Sequence, residues 1–265
     1  MKPEVIVILS VFVAFAIAEA VRTNFFHKPN QQTRDGVIEA ASTVLLLGLT
    51  QPAILLMAAA FMGAAFPAAQ DSLIGISVLA QIGLLLVFDD MTQYWWHRTT
   101  HKTPWLYKLH RAHHDAGYMS IRIVYRNGFF YYLLMPSIWL SGVLIYLGLA
   151  KVYSFYLVFK MLVIFGAHSD IRWDKPLYEI RWLSPVMWFL ERTISTPATH
   201  SAHHGKHLSD GITNYKGNYG NLLFFWDVLF RTAKITRRYP VEIGVENLEP
   251  MGAAEQLFWP VVRKT

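Results

Sequence analysis

The sequence predicts an all-α protein, an integral-membrane helical bundle of four to five spans with a cytosolic helical cap that carries a histidine-rich site. Three observations lead there. Hydrophobic residues make up 54% of the chain and charged residues only 16%, whereas soluble domains sit nearer a quarter charged. The apolar residues are gathered into stretches of bilayer length. The histidines are gathered into clusters at the ends of those stretches and in the more polar final third. With 265 residues, the chain reads as a single membrane domain over 1–265, its histidine region at about 90–232.

Five apolar stretches follow one another: Val5–Ala20, Val37–Phe66, Leu73–Phe88 continuing to Trp96, Phe129–Ala150, and Val152–Ala167. A spanning helix needs ~20 mainly apolar residues, which the second, third and fourth supply. The first reads as an uncleaved anchor. Met1-Lys2-Pro3-Glu4 is a poor basic start for a signal peptide, and Glu19-Ala20-Val21-Arg22 lacks a small-x-small cleavage pattern. The fifth is short and carries Lys160, so it is expected to be tilted or partly embedded.

The loops orient the bundle. Arg22, Lys28 and Arg34 lie between the first two stretches, and Arg98, Lys102, Lys108, Arg111, Arg122 and Arg126 between the third and fourth. The opposite loops, Gly63–Ser72 and the turn near Lys151, hold almost no positive charge. Basic loops stay cytosolic, which places the N-terminus outside and the C-terminal third inside. The net charge of +6 comes from these loops. No basic block with interleaved aromatics suggests nucleic acid.

There is no cysteine, which excludes thiolate zinc, iron–sulfur and cysteine-ligated haem sites. A metal here must be held by nitrogen and oxygen. The candidates are His97-Arg98-Thr99-Thr100-His101, His110-Arg111-Ala112-His113-His114 and His200-Ser201-Ala202-His203-His204, with His168 alone between the last two. On a helix, residues three and four apart share a face, so each cluster aims several imidazoles at one place, and imidazole suits iron, zinc and copper. At this histidine content, roughly 0.02 chance matches to H-x-x-H-H are expected in the whole chain, and two are present.

These motifs, with Asp90-x-x-x-Tyr94-Trp95-Trp96-His97-Arg98, Thr196-Pro197, Asn218-Tyr219-Gly220 and Trp226-Asp227-x-Leu229-Phe230, resemble the fatty acid hydroxylase and sterol desaturase superfamily of membrane di-iron enzymes. The resemblance runs from about Asp90 to Thr232. It implies that His97, His101, His110, His113, His114, His168, His200, His203 and His204 ligate two iron ions, which zinc could replace in purified protein, and that dioxygen is the co-substrate. It also implies hydroxylation or desaturation of a membrane lipid. One departure is Arg231, where that family usually has glycine.

Other residues are open between two readings. His168 is a ligand or an interfacial histidine. His207 extends the last cluster to i+7 and is a tenth metal ligand, a base beside the ligands, or a solvated neighbour. Asp90 shares a 3.6-residue face with Tyr94, His97 and His101, and either orients an imidazole N–H from that face or pairs with a nearby Arg or Lys; Asp90 and Tyr94 are the candidate catalytic side chains. Asp227 and Trp226 are expected to hold the last cluster in place. His27 has no cluster to join. Phe129, Phe130, Tyr131 and Tyr132 are expected to line the substrate path from the bilayer.

No G-x-G-x-x-G fingerprint is present, so electrons would come from a separate carrier, a ferredoxin or a cytochrome b-type protein, docking on Arg231, Lys234, Arg237 and Arg238. The competing reading is a membrane metal-binding or metal-transport protein without oxygenase activity. A transporter would place its ligands at mid-membrane on broken helices, and these histidines sit at helix ends.

Overall fold

The computed structural model describes residues 3–263, all helix, turn and loop apart from one isolated bridge between Gly205 and Ile243. The Met1-Lys2 start used in reading the anchor lies outside the described residues. Three helical stretches are long and apolar enough to cross a membrane: Pro3–Arg22, Asp35–Ala65 and Pro136–His168. We call the first two α1 and α2. α1 begins at a proline, carries Glu4 in its first turn and Arg22 in its last, charges that match the helix dipole at each end. α2 widens at Leu45–Thr50 into a π-helical turn just ahead of Pro52, whose missing N–H cannot serve an ordinary turn.

The third stretch is two limbs. At Gly148 the backbone takes φ +108°, a conformation glycine adopts without strain, and a Cβ there would lie 3.1 Å from Ile74 and 3.2 Å from Asp71. Before it runs α3 (Pro136–Leu144) and after it α4 (Ala150–His168). Ser141 of the first limb and Lys160 of the second both bond the Asp89 carboxylate, at 3.2 and 2.5 Å. A straight helix would hold these two residues ~28 Å apart, so the chain doubles back. The expected tight turn is therefore present, at Gly148. The predicted stretch is helical from Phe129 but breaks after a short helix at Phe129–Leu133, and the limb starts afresh at Pro136, because the residue ahead of a proline is pushed out of the helical region; Met135 has ψ 112°.

The predicted third span is helical over 78–102, which we call α5, capped by the Ser77 hydroxyl. It is not among the stretches apolar enough to cross by composition; Asp89 and Asp90 stand in its middle, within a π-helical turn at Leu86–Met91. Thr103 breaks it, and α6 (Pro104–His114) follows. The cap adds α7 (Ser184–Thr193), α8 (Pro197–His204), α9 (Phe225–Leu229) and α10 (Ala253–Phe258).

α1 packs along α4, and α2 along α3. Outward faces stay apolar, with Leu56 72% exposed and Phe155 71%, as lipid-facing helices require. Both basic loops lie at the histidine end. Lys28 bonds Asp170, two residues beyond His168, at 2.9 Å, and Arg122 meets Glu39 at 2.7 Å. Lys28 also reaches Glu19, and Arg126 reaches Asp35 at 2.8 Å. Buried ion pairs thus tie the ends of α1 and α2 to the segments that bear the ligands.

Candidate metal centre

Nine imidazoles converge where α4, α5, α6 and α8 meet. They form two groups in which the nitrogens offered all lie within 4.8 Å of one another: His97, His101, His110, His114 and His203, then His113, His168, His200 and His204. All are buried except His101, which is half-buried. The groups adjoin, with the His114 and His204 rings stacked at 4.4 Å.

Local sequence explains the aim of each. His97/His101, His110/His114 and His200/His204 are i, i+4 pairs sharing a helical face. α8 starts on a capping box in which Thr196 and Thr199 satisfy each other's backbone N–H, with Pro197 at its first turn, a strong start signal. α6 likewise starts at Pro104. His168 closes α4 and comes within 2.9 Å of His200, nitrogen to nitrogen.

Five of the rings are oriented through Nδ1. That nitrogen of His97 donates to the Tyr219 carbonyl at 2.7 Å, of His110 to Asn127 Oδ1 at 2.7 Å, and of His113 to the Ile123 carbonyl at 3.0 Å. His168 donates to the Ile164 carbonyl at 2.8 Å and His203 to the Gly217 carbonyl at 2.7 Å. With Nδ1 carrying the proton, Nε2 keeps its lone pair for an ion. Those Nε2 atoms face one another: His97 to His110 at 2.9 Å, His97 to His203 at 3.1 Å, His110 to His114 at 3.2 Å, His113 to His168 at 3.4 Å. Two ligands at right angles on an ion at ~2.1 Å are ~3.0 Å apart. His101 Nε2 and both nitrogens of His204 are buried with no hydrogen-bond partner, a costly state unless something else fills it. Burial, then neighbouring imidazoles, holds His113, His114, His200 and His204 well below their ordinary pKa, so the rings are neutral donors. The residues present fit two metal ions.

The loop 217–220 serves two rings at once. Asn218 adopts φ +55° and its amide bonds the Thr199 and Lys234 carbonyls at 2.8 and 3.0 Å, turning the carbonyls on either side of it toward His203 and His97. Gly217 has no alternative, since a Cβ would sit 2.2 Å from the Thr232 carbonyl. Asp227 accepts from the N–H groups of Tyr219 and Gly220 at 2.9 and 2.6 Å and from Thr232 Oγ1 at 2.6 Å. Thr232 meets the Tyr94 hydroxyl at 2.9 Å, which also accepts from Arg98 at 3.1 Å. Tyr94 therefore supports His97 through Thr232, Asp227 and the Tyr219 peptide, and through its own edge contact with the Tyr219 ring.

Two expectations need correction. Among the described residues Asp90 bonds no imidazole and no Arg or Lys: it accepts from Trp226 Nε1 at 2.8 Å and from the Leu223 N–H at 3.1 Å. It lies in the π-helical turn, where a 3.6-residue face does not hold, and its neighbour Asp89 shares a cavity with Gln93 and His97 instead. His207 lies outside both groups because α8 ends at His204 and Gly205 turns extended; its ring meets Glu246 at 2.5 Å and Glu242 at 3.5 Å at the surface. Of the four basic residues expected at a donor's docking surface, Arg237 pairs with Glu191 at 2.8 Å and Lys234 donates to the Thr213 carbonyl at 3.2 Å, contacts that leave that expectation untested. Arg231 has φ +57°, the backbone that a glycine would adopt at that turn. Asn127 was not anticipated; its sole sequence signal is an amide between Arg126 and Gly128, just ahead of the apolar run that begins at Phe129.

A cavity of about 490 Å³ opens from the histidines into the bundle. His97, His110, His113 and His168 reach its inner end, and Tyr131 and Tyr132 line it; Phe129 and Phe130 do not. Val5 and Leu9 of α1 and Leu47 of α2 also line it and are exposed, so the cavity extends to the side of the bundle that those two helices form.

The family described as fatty acid hydroxylase matches residues 82–232. The chain is 27% identical over 167 residues to the human alkylglycerol monooxygenase, covering 61% of this chain and 33% of that protein. It is 28% identical over 148 residues to the zebrafish (Danio rerio) alkylglycerol monooxygenase, covering 54% and 28%. The ornithine lipid hydroxylase OlsE of Rhizobium tropici is 28% identical over 186 residues, covering 69% and 51%. The matches thus span between just over a quarter and about half of the length of these curated relatives. No solved structure matches the chain. The matched stretch holds every converging histidine, the Thr196-Pro197 cap and the Asp227 brace, and on that ground the chain belongs to the fatty acid hydroxylase family.

Proposed function

We propose that the protein is a membrane oxidoreductase that holds two iron ions on these nine histidines and uses dioxygen to oxidise a C–H bond of a lipid. The observation that carries this reading is that both imidazole groups border one largely apolar cavity running between the bilayer-length helices. Iron bound there would supply the oxidant for an unactivated carbon. The chain's own residues do the rest. The five Nδ1 anchors fix the ring orientations, the Asp227 brace keeps Tyr219 under His97, and Tyr131 and Tyr132 wall the reacting region against water. A lipid enters sideways between α1 and α2 and lies along α5 with one carbon at the imidazole groups. The relatives' names, an alkylglycerol monooxygenase and an ornithine lipid hydroxylase, favour a polar lipid as substrate. A separate ferredoxin or cytochrome b-type protein delivers electrons at the cap.

In the membrane, α1, α2, the α3–α4 hairpin and the apolar half of α5 make up the predicted four to five spans, with the N-terminus outside and the cap cytosolic. A reporter inserted near Ala68 is then external, and one at the cap surface near His207 cytosolic; both on one side would overturn this arrangement. The activity is tested with protein purified with iron, by metal analysis and by oxygen-dependent change in membrane lipids. About two ions per chain with oxidised lipid is the expected result. Two ions with no lipid oxidation under reducing conditions would leave a metal-binding protein.

A further inference from the structure

The cavity is apolar over most of its wall but carries one charged pair. Lys160 of α4 donates to Asp89 Oδ2 of α5 at 2.5 Å, Tyr156 donates to the same oxygen at 2.6 Å, and Ser141 of α3 donates to Oδ1 at 3.2 Å. Both Asp89 oxygens are thereby used. Lys160 is not saturated: an ammonium has three hydrogens, and among the described residues Asp89 is its hydrogen-bond acceptor. Lys160 and Asp89 both line the cavity. One turn along α5, Gln93 lines it too, and its side-chain oxygen is buried with no partner. Another turn on is His97. Asp89, Gln93 and His97 mark one face of α5, a run of about 12 Å from the ion pair to the imidazoles.

A buried ion pair is a weak source of stability, and apolar residues of similar size would pack α3, α4 and α5 at least as well. Lys160, with its unused N–H bonds, and the Gln93 side chain border the same void, which is how a ligand site is built. The pair is neutral overall, so a further anion would go uncompensated in apolar surroundings, whereas a neutral oxygen would not.

We propose that Lys160, held in place by Asp89, determines specificity by donating to a neutral oxygen of the bound lipid, a hydroxyl, ether or ester carbonyl, while Gln93 takes a hydroxyl hydrogen where one is present. The lipid then spans from that oxygen to the imidazoles, and the oxidised carbon lies about 12 Å from it. This rests on the reading of the cavity as a lipid site, but binding itself needs no turnover.

The test uses the full chain purified in detergent, incubated with equal amounts of deuterated hexadecan-1-ol, hexadecyl methyl ether, palmitate and hexadecane. Bound probe is counted by mass spectrometry, and iron is measured on the same sample. The alcohol and ether are expected to be retained about tenfold over hexadecane and ahead of palmitate. The paired change Lys160→Met with Asp89→Asn leaves no unpaired charge and should bring all four probes within about twofold of one another; Lys160→Arg should keep the preference. Equal retention by the wild type, preference for palmitate, or a preference that survives the paired change would overturn the proposal. If the paired variant does not fold, Gln93→Leu decides, since an unaltered alcohol-to-ether ratio there is equally fatal. Retained preference in protein that binds no iron would remove the oxygenase reading and leave this one standing.

Discussion

Helices α6 and α8 carry the same H-x-x-H-H spelling and divide it in opposite proportions. α6 gives His110 and His114 to the five-membered group and His113 to the other; α8 gives His203 to the first and His200 and His204 to the second. The outer pair of each triad shares a helical face, and the middle histidine, one residue from the last, is turned from it by ~100°. Each helix therefore serves both groups and braces one against the other. The groups are held to a similar degree by the protein. Three of the five rings in the first are anchored through Nδ1, at Tyr219, Asn127 and Gly217, and two of the four in the second, at Ile123 and Ile164. In the second, His200 and His204 have buried Nδ1 atoms with no partner. The second offers fewer nitrogens, which leaves more coordination open on the ion it would bind.

The largest effects are expected where the two groups share a helix. His113→Ala and His203→Ala each remove the nitrogen that crosses to the opposite group, and should lower iron to about one ion per chain or less and abolish lipid oxidation. Both variants should still reach the membrane, since insertion depends on the apolar stretches. Full iron and turnover in either would show that the division into groups is wrong. Metal removal sharpens the contrast further. A chelator titration followed by elemental analysis should proceed in two steps, the four-membered group emptying first; a single step would erase the distinction.

Asn127→Leu is a smaller change confined to the first group. It frees the His110 ring and should weaken metal affinity or turnover by ~10–100-fold; an unchanged value would mean that packing alone orients that ring. Asp90→Asn should matter less, with a lower melting temperature and unaltered iron, because this carboxylate holds Trp226 and the Leu223 N–H and no imidazole. Iron lost in that variant would restore a direct role for it. At the small end, His207→Ala should leave metal content and activity as they are, since its partners are Glu242 and Glu246 at the surface.

How much of this was legible follows from the range of each signal. Helix pairs of histidines and the apolar runs are local patterns; the pairs appear where the sequence places them, while the fourth run is broken ahead of Pro136. The nine converging histidines were named as a set because the resemblance carried them over together, His168 included. The tenth failed because helical periodicity says nothing about where a helix stops, and α8 stops at His204. The choice between Asp89 and Asp90 was equally out of reach: a π-helical turn shifts the register by one residue, and nothing local in the side chains announces it.

By itself, then, the sequence determined that the chain is helical, rich in bilayer-length stretches and supplied with imidazole clusters at one end. Periodicity of 3.6 and burial of apolar surface act within a single helix, so neighbours in sequence suffice to read them. The tertiary structure alone decided which imidazoles come together in one group, because that depends on the angle at which α6 and α8 cross. It also decided what orients them. Four of the five Nδ1 anchors end on backbone carbonyls, which every residue possesses and no residue type advertises. The same holds for the basic loops, whose Lys28 and Arg126 are spent inside the protein on Glu19, Asp170 and Asp35; a charge count cannot tell a lysine facing lipid headgroups from one buried against a carboxylate, since only the packed chain brings the partner within reach.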